Sequence, residues 1–298
     1  MNFEIVCLGT ASAIPSKKKN HSGFLVKTEK HNILVDCGEG IQRQFKMAEE
    51  NPARLTHLLI THWHEDHTIG LAGLLKTMGM NSYAQTLHIY GPRSTNEKIE
   101  LFQRIYSRYK IRLEIHEISS AIVYEDKDIK IEATQMDHSV PTLAYSIIIK
   151  NQVRIDKSKI KKLKLPNSPL IGDLQRGKDI VFNGKKIKSK DVTYTQEGKK
   201  LTIILDTAMN QNAVDLAKDS DLLICESTYA ENESEQAREY KHLTTTEAAT
   251  IAKKAKAKKL ALVHISEKHG HRHIQLLKEA KKVFKNTIIP DDLNILKV

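Results

Sequence analysis

The sequence predicts an α/β protein, and three observations carry that class. Short strand-like runs alternate with helix-like runs from one end to the other. No repeat of fixed period and no low-complexity linker interrupts them. Hydrophobic residues make up 40% and charged residues 28% of the 298, a balance that suits a packed globular core. That length fits two domains or one large α/β domain.

In chain order, Phe3 to Leu8, Gly23 to Val26 and Asn32 to Val35 read as strands separated by turn residues. Gly40 to Met47 opens a helix, and Leu58 to Ile60 is a buried strand ending at Thr61. A helix over Ile69 to Met78 follows, then a strand over Leu87 to Tyr90 closed by Gly91-Pro92. Thr95 to Tyr109 has helical spacing, with Ile99, Phe102 and Tyr106 on one face. Strands return at Ile129 to Ala133, Ala144 to Ile149, Leu201 to Leu205 and Leu222 to Cys225. Thr244 and Glu247 are spaced as a capping box for a helix running through Ala248 to Lys258. Leu260 to Val263 is the strand after it, and Gln275 to Phe284 the last helix.

Composition excludes several functional classes. The longest apolar runs, such as Leu201 to Leu205, fall far short of the roughly 20 residues that span a bilayer. The amino terminus reads as a strand rather than a signal peptide, so a secreted or membrane protein is not expected. Three cysteines, Cys7, Cys37 and Cys225, are odd in number and form no C-x-x-C pair. They read as reduced thiols in a cytoplasmic protein, Cys7 and Cys37 filling core.

Net charge is +11, and it is concentrated. Lys150 to Lys200 holds fifteen Lys or Arg against five Asp or Glu, so nearly the whole excess sits there. The segment also contains Pro166, Pro169, Gly172 and Gly177. It reads as an inserted arm whose positive field attracts a polyanion, in preference to a merely solvated charge run.

Histidine is the outlier, at fourteen residues. Thr61-His62-Trp63-His64-Glu65-Asp66-His67 follows directly on an apolar strand. Imidazoles and a carboxylate packed so closely are hard to hide in a core, because each polar group would need a partner. Imidazole nitrogen and carboxylate oxygen are ligands that zinc and similar divalent ions accept. Four such groups on one loop suit two ions better than one. Further ligand candidates lie just past other strands: His138 in Asp137-His138, Asp206 in Asp206-Thr207, and His264. Singly, each has an ordinary reading as a surface histidine or a turn carboxylate. Their shared placement at strand ends makes them candidates.

On these residues the sequence resembles the metallo-β-lactamase superfamily and, within it, the ribonuclease Z family of tRNA 3′-processing endonucleases. The motifs are Leu8-Gly9-Thr10, Val35-Asp36-Cys37-Gly38-Glu39-Gly40, His62 to His67, Ile89-Tyr90-Gly91-Pro92, Asp206-Thr207, Glu226-Ser227-Thr228 and His264-Ile265-Ser266. The resemblance implies a four-layer αββα sandwich as one domain over 1–298, with a basic flexible arm inserted over 150–178. It implies that His62, His64 and His138 hold one zinc, that Asp66, His67 and His264 hold another, and that Asp206 bridges them. Manganese or another divalent ion would suit the same ligands. Two ions about 3.5–4 Å apart can share a hydroxide and clamp a phosphodiester for in-line displacement. The resemblance puts Glu226 and His242 with Asp66 at the chemistry, the pair protonating the leaving oxygen. The competing reading of Glu226 is that it only orients a ligand.

The family resemblance also implies a precursor tRNA substrate, a homodimer, and an arm gripping tRNA through Leu165 to Gly172 and Leu174 to Gly177. Pro15 to Asn20 matches a loop near the cleavage site. Departures from the family pattern are Lys19 before Asn20, Ser168 before Pro169, Cys225 before Glu226, and Leu243 after His242. The expected activity is removal of the 3′ trailer from precursor tRNA, leaving a 3′-hydroxyl. The alternative enzyme keeps the metals but cleaves small esters such as cyclic nucleotides. A third reading, an RNA-binding module with structural metal, suits the open ligand set less well.

Overall fold

The computed structural model describes residues 3–106 and 110–298. Strands β1 (Glu4–Gly9), β2 (Gly23–Lys27), β3 (Asn32–Val35), β4 (His57–Leu59), β5 (Thr86–Gly91) and β6 (Arg112–Glu117) build most of a first sheet. Strands β7 (Ala121–Glu125), β8 (Ile129–Met136) and β9 (Thr142–Ile149) begin a second. An excursion then carries β10 (Gln152–Ile155), β11 (Ile180–Phe182), β12 (Lys185–Ile187) and β13 (Thr193–Gln196). The second sheet resumes with β14 (Lys199–Ile204), β15 (Leu222–Glu226), β16 (Leu260–Val263) and β17 (Thr287–Ile288). The chain closes on β18 (Ile295–Lys297), which returns to β1.

The two sheets share one pairing scheme. In the order β18-β1-β2-β3-β4-β5-β6, three antiparallel pairings are followed by three parallel ones. Read as β7-β8-β9-β14-β15-β16-β17, the other sheet has the same sequence of pairings. No sequence repeat announces this, because period-2 burial constrains which faces are apolar and not which residues fill them.

Four layers follow from where the apolar side chains go. Phe24, Val35, Leu59 and Tyr90 of the first sheet pack between the sheets on Ile131, Tyr145, Ile203 and Ile224 of the second. The first sheet's outer face is covered by helices Ile41–Met47, Leu71–Met80 and Thr95–Tyr106 through Phe45, Leu74 and Ile99. The second is covered by helices Gln211–Ala217, Thr245–Lys254 and His273–Val283 through Val214, Ile251 and Ala280. The αββα sandwich is the architecture expected from the sequence.

Most elements stand within a few residues of their expected bounds. The helix expected over Thr95 to Tyr109 is described to Tyr106, and its last three residues lie outside the described residues. The Thr244–Glu247 capping box is present, with Thr244 Oγ1 accepting from the Glu247 N–H at 3.2 Å.

The excursion between β9 and β14 runs from Gln152 to Gln196 and includes most of 150–178. Its β10 pairs antiparallel with β13 from Gln152↔Gln196 to Ile155↔Thr193, so the excursion ends only at Gln196. Between those strands, Ile160, Leu165, Leu174, Ile180, Ile187 and Val192 form a small core of their own. A chain leaving a sheet in this way must return to the same place, and the two-stranded ladder is that return. Lys157, Lys159, Lys161, Lys162 and Lys164 are exposed on its outside. Among the described residues, no helix is long and apolar enough to cross a membrane.

Candidate metal centre

The candidate residues converge at one rim of the sandwich, where β4, β14, β15 and β16 end. Parallel strands present their carboxyl ends to one side, and the loops leaving them meet there. His62 to His67 follows β4, Asp206 follows β14, Glu226 ends β15, and His264 follows β16. His138 comes in just past β8. Tyr145, fully buried on β9, donates its hydroxyl to the Ile60 carbonyl at 2.8 Å. The Leu143 N–H donates to the Thr61 carbonyl at 2.9 Å. The second sheet thereby fixes the base of the histidine loop.

One ligand atom each from His62, His64, His138 and Asp206 lies within 4.8 Å of the others, and the same holds for Asp66, His67 and His264. His62 Nε2 is 3.0 Å from His64 Nδ1, and His138 Nε2 is 3.4 Å from that atom. In the second group, Asp66 Oδ2, His67 Nε2 and His264 Nε2 are each 3.3 Å apart. Ligand atoms about 2.0 Å from a tetrahedral ion sit roughly 3.3 Å from one another.

Asp206 faces both groups. Its Oδ2 is 3.5 Å from His62 Nε2 and 3.8 Å from His138 Nε2. Its Oδ1 is 3.2 Å from His264 Nε2 and 3.5 Å from His67 Nε2. That Oδ1 is buried and accepts no hydrogen bond from the described residues. A buried carboxylate oxygen with no hydrogen bond among the described residues, set against imidazole nitrogens that crowd one another, is the arrangement a cation completes. The residues fit divalent metal.

Electrostatics agree. Burial opposes charge on Asp206, yet His264, His67 and His62 hold its carboxyl well below the usual carboxylate range. Asp36, Asp206 and His264 have φ of 57°, 37° and 57°. Non-glycine residues in that left-handed region cost on the order of 1–3 kcal/mol each, and they concentrate where geometry serves function.

A second set of residues orients the first. His67 Nδ1 donates to Asp36 Oδ2 at 2.7 Å, and the Thr61 hydroxyl donates to the same oxygen at 2.7 Å. His62 Nδ1 is 3.0 Å from that hydroxyl oxygen. His138 Nδ1 donates to the Lys241 carbonyl at 3.1 Å. His264 Nδ1 is 3.0 Å from Thr228 Oγ1, which donates to Glu226 Oε2 at 2.7 Å. In these four rings Nδ1 is engaged and Nε2 is left facing the site, whereas His64 turns Nδ1 inward. Asp36, Thr61, Thr228 and Lys241 were not assigned roles from the sequence. The available signal was a carboxylate directly after the apolar strand Asn32–Val35. Gly38 is needed beside them, since a Cβ there would strike the Asp66 carbonyl oxygen and His21.

Glu226 is fully buried and holds His242 by a 2.9 Å bond from Nδ1 to Oε1. The Thr207 N–H donates to Oε1 at 2.7 Å and the Leu243 N–H to Oε2 at 3.2 Å. Burial pulls His242 down, but the Glu226 carboxylate outweighs it, and the imidazole is pushed up to about 9. The departures at Cys225 and Leu243 leave this pair intact. Both side chains lie in the outer core, and Leu243 serves Glu226 through its backbone. Lys19 is held near the site by Thr10 Oγ1 at 3.2 Å and the Pro290 carbonyl at 3.3 Å. Ser168 precedes the helix Pro169–Gln175 without capping it by its side chain.

Two sheets between helices, with histidines and aspartates gathered at one rim, define a metallo-β-lactamase-fold protein. A solved metallo-β-lactamase fold protein, YhfI from Bacillus subtilis, superposes with a TM-score of 0.72 at 21% identity, covering 100% of this chain and 99% of that one. The short form of human tRNase Z gives the same TM-score of 0.72 at 22% identity, covering 98% of each chain. A family model described as Anti-Pycsar protein Apyc1 matches residues 3–164. Ribonuclease Z of Methanosarcina acetivorans is 33% identical over 99% of this chain and 98% of its own. The chain belongs to the ribonuclease Z family.

Proposed function

We propose that this protein is a zinc-dependent endoribonuclease that cleaves the 3′ trailer from precursor tRNA and leaves a 3′-hydroxyl on the tRNA. The observation that carries the reading is the Asp206 carboxylate, which turns one oxygen to each of two ligand groups. The full-length likeness to a protein named Ribonuclease Z supplies the substrate class.

His62, His64 and His138 would hold one zinc ion, Asp66, His67 and His264 the second, and Asp206 both. Ions bound there would supply Lewis acidity, activating a water as nucleophile and neutralising charge on the scissile phosphate. The chain's own residues do the rest. Asp36, Thr228 and the Lys241 carbonyl fix the rings of His67, His264 and His138 so that Nε2 faces the place where the ions would sit. Glu226 keeps a proton on His242, which passes it from Nε2 to the departing ribose oxygen. The exposed lysines of the arm hold the tRNA body through its phosphates, a contact suited to recognising RNA by shape. By family resemblance the protein works as a cytoplasmic homodimer.

The test is cleavage of one end-labelled precursor tRNA with added zinc or manganese and a chelator control, the cut mapped to the nucleotide. A single metal-dependent cut next to the acceptor stem is expected. Cleavage of a chromogenic phosphodiester without any cut on RNA would overturn the reading in favour of a small-ester enzyme.

A further inference from the structure

A second histidine cluster lies on β4, β5 and β6, on the face turned toward the other sheet. Parallel register sets His57 beside His88, His88 beside Glu114, and Tyr90 beside His116. Side chains two apart on a strand share a face, so all five stand together. The His57 and His88 rings stack at 5.6 Å, His88 and His116 at 6.1 Å, and Tyr90 covers His116 at 4.6 Å. His57 begins β4, whereas the catalytic loop leaves the other end of that strand.

His88 Nδ1 is 3.1 Å from Glu114 Oε2, and one ligand atom each from His88, Glu114 and His116 falls within 4.8 Å of the others. Since β6 is the edge of its sheet, the cluster opens outward. The His88 side chain is 32% exposed and that of Glu114 58%. Behind this opening, His116 Nε2 and His57 Nε2 are buried with no hydrogen-bond partner among the described residues. Burying an unpaired imidazole nitrogen is unfavourable, and the one on His116, which stands with His88 and Glu114, calls for a further partner.

We propose that His88, Glu114 and His116 form a peripheral site for a divalent transition-metal ion, distinct from the centre built on Asp206. Two imidazoles and one carboxylate select zinc, nickel or copper over calcium and magnesium, which prefer oxygen ligands. Water completes the coordination from the open side. The bound ion clasps β5 to β6 at the edge of the sheet.

The experiment is calorimetric titration of the chelator-stripped full chain with zinc chloride, repeated on His88→Ala/His116→Ala and on Glu114→Gln. The double variant should bind one ion fewer per chain than the wild type, with hydrolysis of bis(p-nitrophenyl) phosphate unchanged. Glu114→Gln, which preserves side-chain shape at an exposed position, should weaken one class of sites by about tenfold or more. Equal ion counts in wild type and a folded double variant would overturn the site. Should the double variant fail to fold, unaltered zinc affinities in Glu114→Gln would overturn it.

Discussion

Asp36 and His67 form a buried pair, with Asp36 Oδ2 2.7 Å from His67 Nδ1 and neither side chain exposed to solvent. The carboxylate decides which imidazole nitrogen carries the proton and leaves Nε2 toward Asp66 and Asp206. Asp36 also accepts from the Thr61 N–H at 2.8 Å, so one side chain sets both a ligand and the start of the histidine loop. Asp36→Asn keeps the volume and removes the charge. Metal affinity should fall by roughly 10- to 100-fold, measured by competition with a chromophoric chelator. Affinity equal to wild type would remove Asp36 from the account.

Substitution at the Glu226–His242 pair tests whether chemistry and metal holding are separate. His242→Gln should lower cleavage by roughly 10²–10⁴-fold while the ion content stays unchanged. Loss of an ion with activity would assign His242 to the ligands instead, a possibility its place in a group with Asp206 and His264 makes worth measuring.

The arm's geometry dictates how to remove it. A cut at Arg176 would separate Leu165 and Leu174 from Ile180 and Val192 and break the arm's own core. Replacing 152–196 with a short Gly-Ser linker respects the β10–β13 closure, since Gln152 and Gln196 are register partners. Precursor-tRNA binding should weaken by about tenfold or more and become less dependent on salt, because lysine–phosphate contacts release counterions. Hydrolysis of a small phosphodiester should stay near wild type. An equal fall in both activities would make the arm a structural support.

Asp221 gives a pH signature away from the site. Its burial resists charge, but Lys258 at 2.8 Å, the Lys200 N–H at 2.9 Å and Lys199 at 3.3 Å hold its carboxyl below the usual range. A depressed carboxylate stabilises the fold above its unfolded pKa, and the benefit is lost as pH falls through the lower folded value. Asp221→Asn should therefore cost about 1 kcal/mol at pH 7, discounted for the solvent around Lys258. The gap between the variant and wild type, followed by urea melts, should close below about pH 4. A gap independent of pH would mean that packing, not charge, is lost.

Much of this was legible because the strands are written in apolar runs and the ligands sit just past them. Asn32–Val35 and Leu260–Val263 stand where the pattern put them. The arm's return was not legible: Thr193–Gln196 has no apolar alternation, and only pairing with β10 makes it a strand. Edge strands β6 and β7, half exposed, likewise lacked the buried signal. Asp36 and Thr228 could not be given roles, since a hydrogen bond spanning 31 residues, as from His67 to Asp36, leaves no spacing to read.

The central claim is that Asp206 joins two metal sites into one catalytic centre. Asp206→Ala should be assayed on end-labelled precursor tRNA alongside electron paramagnetic resonance of the manganese-loaded chain. Wild type should give the signal of a coupled ion pair and a single cut, and the variant should lose both. Cleavage near the wild-type rate with the coupled pair still present would contradict the account.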